Sequence, residues 1–266
     1  MSFPVTIEGG QADIVKESAT ALHPVGTRMV LEDGRVFRYA LNGGTALSKG
    51  KLCSNALAEG DEYEDLTSQD AATTADDNIT LLVAYSTASV TCAADRFKEG
   101  YMYVNTGTGA GQVVQIAKND AGGSSTGATV KIYFKEDEYL SAALDTSSSK
   151  IGLVKNLYDS VVVHSKCTNY APGYVPVGIP PIEVTANYYF WLQTWGPAAV
   201  LEGANLSLGK KARIGSSTGA DGEVRHFGVL TSGNGTGAAV ELPSIGIVIA
   251  GSTDTEYALV FLTLAP

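Results

Sequence analysis

The sequence predicts an all-β protein: two β-barrel or sandwich domains behind an N-terminal arm and hairpin. Three observations carry this. Short runs of β-branched and aromatic residues recur along most of the chain, separated by Gly-, Asn- and Asp-rich turns. No apolar spacing of three and four residues lasts long enough for a long helix. Four of the nine prolines fall between Pro172 and Pro181 and divide one strand-rich block from another.

Residues 1–25 read as an arm. Val5-Thr6-Ile7 suits a short edge strand that Gly9-Gly10 ends, and Ala12, Val15, Ala19 and Leu22 are spaced for a turn or two of helix. The first domain, 26–168, opens on the clearest hairpin in the chain. Thr27-Arg28-Met29-Val30-Leu31 and Arg35-Val36-Phe37-Arg38-Tyr39 flank Glu32-Asp33-Gly34, and an Asp-Gly turn between alternating strands is a strong local signal. Within residues 45–77, the acidic part at 59–77 reads as a solvated connection. Gly60-Asp61-Glu62-Tyr63-Glu64-Asp65 lacks the spacing of a twelve-residue calcium loop.

Strands follow at 79–85, 100–104, 112–117, 128–134 and 157–164, with turns at Asn105-Thr106-Gly107-Thr108-Gly109 and Asn119-Asp120-Ala121-Gly122-Gly123. Residues 169–181 are proline-rich, stiff and extended, which is the composition of a linker. The second domain, 182–266, carries strands at 187–194, 198–201, 206–214, 245–250 and 257–264. Ala258-Leu259-Val260-Phe261-Leu262 is continuously apolar, so it is placed as a central strand. Gly-Ser-Ser-Thr-Gly at 123–127 returns at 215–219, a hint of two related barrels.

Charge narrows the function. Lys+Arg 18 against Asp+Glu 28 leaves −10, which disfavours nucleic acid and anionic membranes as partners. Only 17% of residues are charged, against about 25% in an average domain. Such a surface suits burial between subunits, because neutral groups cost less to desolvate than ions. Cys53, Cys92 and Cys167 are far apart and form no disulfide framework or zinc motif. The N-terminus lacks a secretory pattern, so synthesis in a cytoplasm is expected.

No motif assembles chemistry. Ser125 and Ser217 formally sit in GxSxG, yet no strand-to-helix turn follows either. Gly203 to Lys210 has the wrong spacing for a phosphate loop, and Gly107 to Gly111 lacks dinucleotide context. His23, His164 and His226 are isolated in sequence and read as structural. No catalytic residue, cofactor or metal is expected. Alternation along Tyr188–Trp195 puts Tyr189, Trp191, Gln193 and Trp195 on one face and Tyr188, Phe190, Leu192 and Thr194 on the other. One face is core, and the other is a second core or a contact surface. Tyr189, Trp191 and Trp195 are therefore the candidate subunit-contact residues.

Met29-Val30-Leu31-Glu32-Asp33-Gly34-Arg35-Val36-Phe37-Arg38-Tyr39-Ala40, continuing to Asn42-Gly43-Gly44, resembles an N-terminal hairpin of tailed-bacteriophage head structural proteins. Gly100-Tyr101-Met102-Tyr103-Val104-Asn105 and Tyr189-Phe190-Trp191-Leu192-Gln193-Thr194-Trp195-Gly196-Pro197 are similar to other parts of such proteins. The resemblance implies a β-barrel capsid decoration (cement) protein on the head exterior. It would be homotrimeric and bound to the major capsid protein, with no catalytic residue to transfer. Tail, head-fibre and baseplate proteins, or a virion-associated glycan hydrolase, are the alternatives. On this reading Phe3, Pro4, Val5 and Ile7 of the arm dock on the capsid.

Overall fold

A computed structural model describes residues 6–56, 63–82, 92–122, 128–165, 174–204, 206–214, 220–225, 229–230, 240–241, 243–251 and 256–266. The chain is all-β, 48% strand and 2% helix, of barrel and sandwich type. Its first elements are β1 (Thr6–Gly9), α1 (Gln11–Ile14), β2 (Glu17–Ser18), β3 (Arg28–Leu31), β4 (Val36–Leu41) and β5 (Cys53–Ala56). Then come β6 (Leu66–Ser68), β7 (Asn78–Leu82), β8 (Tyr101–Thr106), β9 (Val113–Asn119), β10 (Thr129–Phe134) and β11 (Lys150–Val154). After these lie β12 (Val161–Val163), β13 (Tyr174–Gly178), β14 (Tyr189–Ala204), β15 (Lys211–Ile214) and β16 (Val224–Arg225). The last are β17 (Val229–Leu230), β18 (Val240–Glu241), β19 (Ser244–Ala250) and β20 (Tyr257–Thr263).

The chain divides into two units, but not at the proline-rich segment. One unit runs to Ala56 and resumes at Leu157, and the other is Leu57–Asn156 inserted between those halves. The expected boundary at 169–181 is replaced because β5 pairs with β12 (Asn55↔Val161) and with β13 (Val175↔Asn55), which joins sequence on both sides of the insertion. Pro176 lies inside β13, opposite Ser54, and its missing N–H is tolerated because β13 is the edge of that three-stranded sheet. Tyr174–Gly178 is thus a strand. The acidic stretch at 59–77 likewise contributes β6 to a barrel.

The inserted unit is a closed barrel in the order β10-β7-β6-β11-β8-β9. Alternation within its strands sets the register. Val130 faces Leu81, Ile132 faces Ile79, Met102 faces Val114 and Leu153 faces Met102, all buried in one core. A one-residue slip would send each of these side chains to water. Tyr63 and Phe97 close this core edge-to-face at 4.9 Å, and both are fully buried.

In the other unit the hairpin forms where the sequence places it, with Met29 opposite Phe37 and Val30 opposite Val36. Leu31 N–H donates to Arg35 C=O, and Gly34 N–H donates to Leu31 C=O, which closes the three-residue turn. The two expected strands at 187–194 and 198–201 are one strand, β14, of 16 residues. Its first part pairs with β4 and its later part, Trp195 to Leu201, pairs with β20. The register with β4 shifts between Gln193 and Trp195. There the buried Gln193 amide donates to Trp195 C=O (3.2 Å) and Pro197 C=O (2.8 Å), tying the strand across the irregularity. The pairings β14–β16, β16–β15, β15–β19, β19–β20 and β20–β14 run in a closed ring around a second core that includes Val200, Ile214, Val224, Val248 and Val260.

The described part of the arm, residues 6–25, is packed rather than free. β1 lies parallel to β3, β2 pairs with β14, and Ile14 is buried. Among the described residues α1, a single turn, is the one helix. Its buried residue is Ile14, whereas Val15 and Leu22, expected on the inner face, are exposed.

Candidate functional site

β1 is the end strand of its sheet, paired on one side with β3 and carrying no partner on the other among the described residues. Ile7 turns inward against Met29, Trp191 and Tyr39, while Thr6 and Glu8 face water. Phe3, Pro4 and Val5 lie outside the described residues. The candidate docking set is therefore represented here by Ile7 alone.

Next to this edge is a cleft of about 290 Å³. Its floor is aromatic and apolar, with Met29, Tyr39, Tyr189 and Trp191 together with His23, and Glu8, Asp13, Lys16 and Glu17 also line it. Tyr39 is the hub. Its ring stacks on Tyr189 at 5.7 Å and meets Trp191 at 5.0 Å and His23 at 5.2 Å edge-on. The Tyr39 hydroxyl accepts from Leu22 N–H at 3.0 Å, and burial raises its pKa. The carboxylates are held in place. Asp13 accepts from Gly10 N–H (3.0 Å) and Lys16 Nζ (3.3 Å), which lower its pKa. Glu17 accepts from Thr185 N–H and hydroxyl, each at 2.7 Å.

The two faces of the aromatic strand are both core. Phe190 and Leu192 pack with Ala40, Leu47 and Val161, and Trp191 packs with Ile14, Met29 and Phe37. Trp191 is only 6% exposed, so its surface is spent within its own chain. Tyr189 is half-buried at the cleft, and Trp195 is half-buried with its ring edge-on to Phe261 at 5.7 Å. Of the candidate contact residues, Tyr189 and Trp195 thus keep accessible surface.

The remaining chemistry-bearing residues are scattered. His164 is buried with neither ring nitrogen hydrogen-bonded, and burial lowers its pKa to about 4. Burial also raises the pKa of the Cys53 thiol. Cys167, His226, Ser125 and Ser217 lie outside the described residues. Gly107 to Gly111 is the turn between β8 and β9, and Leu206 to Lys210 is the turn between β14 and β15. Strands flank both turns, so neither offers a helix N-terminus to a phosphate. Among the described residues no three His, Cys, Asp or Glu side chains group as metal ligands, and no helix is long and apolar enough to cross a membrane.

Sequence reasoning found the aromatic strand but not its partners Tyr39 and His23. They are distant in sequence and come together only because β4 pairs with β14, Tyr39 opposite Trp191. The chain matches no family model, and no curated protein and no solved structure is detectably similar to it.

Proposed function

We propose that this chain is a structural protein of a tailed-phage virion that decorates and stabilises the capsid, binding the major capsid protein lattice as an oligomer. The observation that carries the reading is the edge of β1, unpaired among the described residues, beside an aromatic-floored cleft that Ile7 and Glu8 of β1 also line. In strand addition, main-chain hydrogen bonds supply affinity and adjacent pockets select side chains. An aromatic floor with carboxylates on its lining suits a Lys or Arg from the incoming strand, held by cation–π attraction and charge. Phe3, Pro4 and Val5 precede β1 in the sequence, and their apolar side chains suit such docking. The resemblance of the hairpin and the aromatic strand to phage head proteins supports the shell as partner, and the low charge content supports a surface that assembles.

Co-sedimentation with purified heads lacking this chain tests the reading. The full chain pellets with heads, whereas deletion of residues 2–5 and Glu8→Lys each weaken binding at least tenfold. Both variants keep the wild-type melting temperature, because β1, α1 and the Ile14 contacts remain. A full chain that stays in the supernatant, or variants that pellet as well as wild type, would remove the proposal.

A further inference from the structure

The outer wall of the β14–β20–β19 barrel segment is apolar across three adjacent strands. Register places Leu201 opposite Tyr257, Ala199 opposite Leu259, and Pro197 opposite Phe261, and Phe261 in turn opposite Ile247. Directly opposite residues share a face, and the alternate residues Ala198, Val200, Ala258, Val260 and Val248 fill the barrel. The outward set therefore cannot turn inward. Ile247 is 49%, Tyr257 47%, Ile249 39% and Leu259 38% exposed, and Pro197 and Ala199 are exposed beside them. No position in this set is charged, in a chain of net charge −10.

We infer that this face pairs with the same face of a second copy of the chain. Its exposed side chains amount to roughly 500 Å² of contiguous surface, the size of the largest patch on an ordinary monomer and commonly functional. Two such faces brought together remove roughly 1,000 Å², the scale at which a specific interface begins. The patch on these three strands carries no charge of its own, and exposed Lys211, opposite Ile247 on β15, stands at its rim. The centre therefore meets its own copy without like-charge repulsion, which a two-fold contact demands because every residue of the patch recurs on the partner. A partner of opposite charge would find nothing on this face to recognise. A two-fold contact closes a dimer rather than the homotrimer that the resemblance implies, and it stands apart from head binding.

Sedimentation velocity at micromolar concentration tests it with the full chain, wild type and variants. Wild type sediments as an assembly of more than one 27.7 kDa chain. Leu259→Glu and Ile247→Lys place an ion on the face and weaken association at least tenfold. Val113→Lys, at a still more exposed apolar position on β9, leaves association unchanged. Circular dichroism and melting temperature check that the variants fold, and Ala199→Arg is a second probe should either variant unfold. A monomeric wild type, or assembly indifferent to all three face variants, overturns the inference. Self-association without head binding would instead retire the capsid reading and leave this one standing.

Discussion

Lowering the pH should destabilise this protein through His164, by an amount that can be worked from its surroundings. The imidazole is 3% exposed, neither nitrogen has a hydrogen-bond partner, and the Tyr174 ring lies edge-on at 6.1 Å. Burial lowers its pKa from 6.5 to about 4, opposed in part by the charge of Asp221. The folded state thus binds fewer protons than the unfolded chain between those values, and stability must rise with pH across that window. The contribution is intact above about pH 6.5 and is lost as pH falls towards 4. Between pH 7.5 and pH 5 the loss is roughly 2 kcal/mol. For a unit of this size that lowers the melting temperature by about 4–8 °C. Acid also protonates carboxylates, so the informative quantity is the difference between wild type and His164→Phe, whose side chain carries no titrating group. Thermal unfolding followed by circular dichroism at the two pH values supplies it. The variant should lose about 2 kcal/mol less than wild type on acidification. Equal losses in the two proteins would mean that His164 is solvated or paired, and the reasoning would be refuted.

Other expectations rest on single contacts. Gly107 and Gly111 both have positive φ, but only at Gly107 would a Cβ meet backbone, 1.9 Å from Ser148 O. Gly111→Ala should therefore cost about 1 kcal/mol in urea unfolding and Gly107→Ala clearly more, a difference that vanishes if the turn is remodelled. Asn119, buried, accepts from Phe97 N–H at 2.8 Å and donates to Ala93 and Asp120 carbonyls at 2.9 Å. Asn119→Ala should cost about 2–3 kcal/mol, and a loss under 1 kcal/mol would mean that water replaces the amide. The Cys53 thiol, buried and with its pKa raised, should resist iodoacetamide at pH 8 in the native protein and react after denaturation; mass spectrometry of the labelled peptide reads this directly.

What was legible in the sequence follows the range of the interactions involved. The 27–39 hairpin is encoded by its own turn, and β8 to β10 by alternation between Gly-rich turns, so local patterning found them. The insertion of the 57–156 unit is invisible to such reasoning, because the pairing of Asn55 with Val161 depends on residues a hundred positions apart. Proline clustering misled for a related reason. Pro176 is barred from a central strand but not from an edge strand, and only the sheet order shows that β13 is one. At the site, the alternation was read correctly over 188–193, but the register shift after Gln193 puts Trp195 opposite Val36, on the other face from Tyr189 and Trp191. Which face is free depended on Tyr39, Ile14 and His23. The continuous apolar run at 258–262 suggested burial on both sides. In the structure one side fills the barrel and the other, with Leu259, forms the exposed wall.

The central claim is that this chain belongs to the shell of a virion, and counting it there tests that most directly. Quantitative mass spectrometry of purified virions should find hundreds of copies per particle, in fixed proportion to the major capsid protein. A count near three, six or twelve would place the chain at the tail or a vertex, and its absence from purified virions would contradict the account outright.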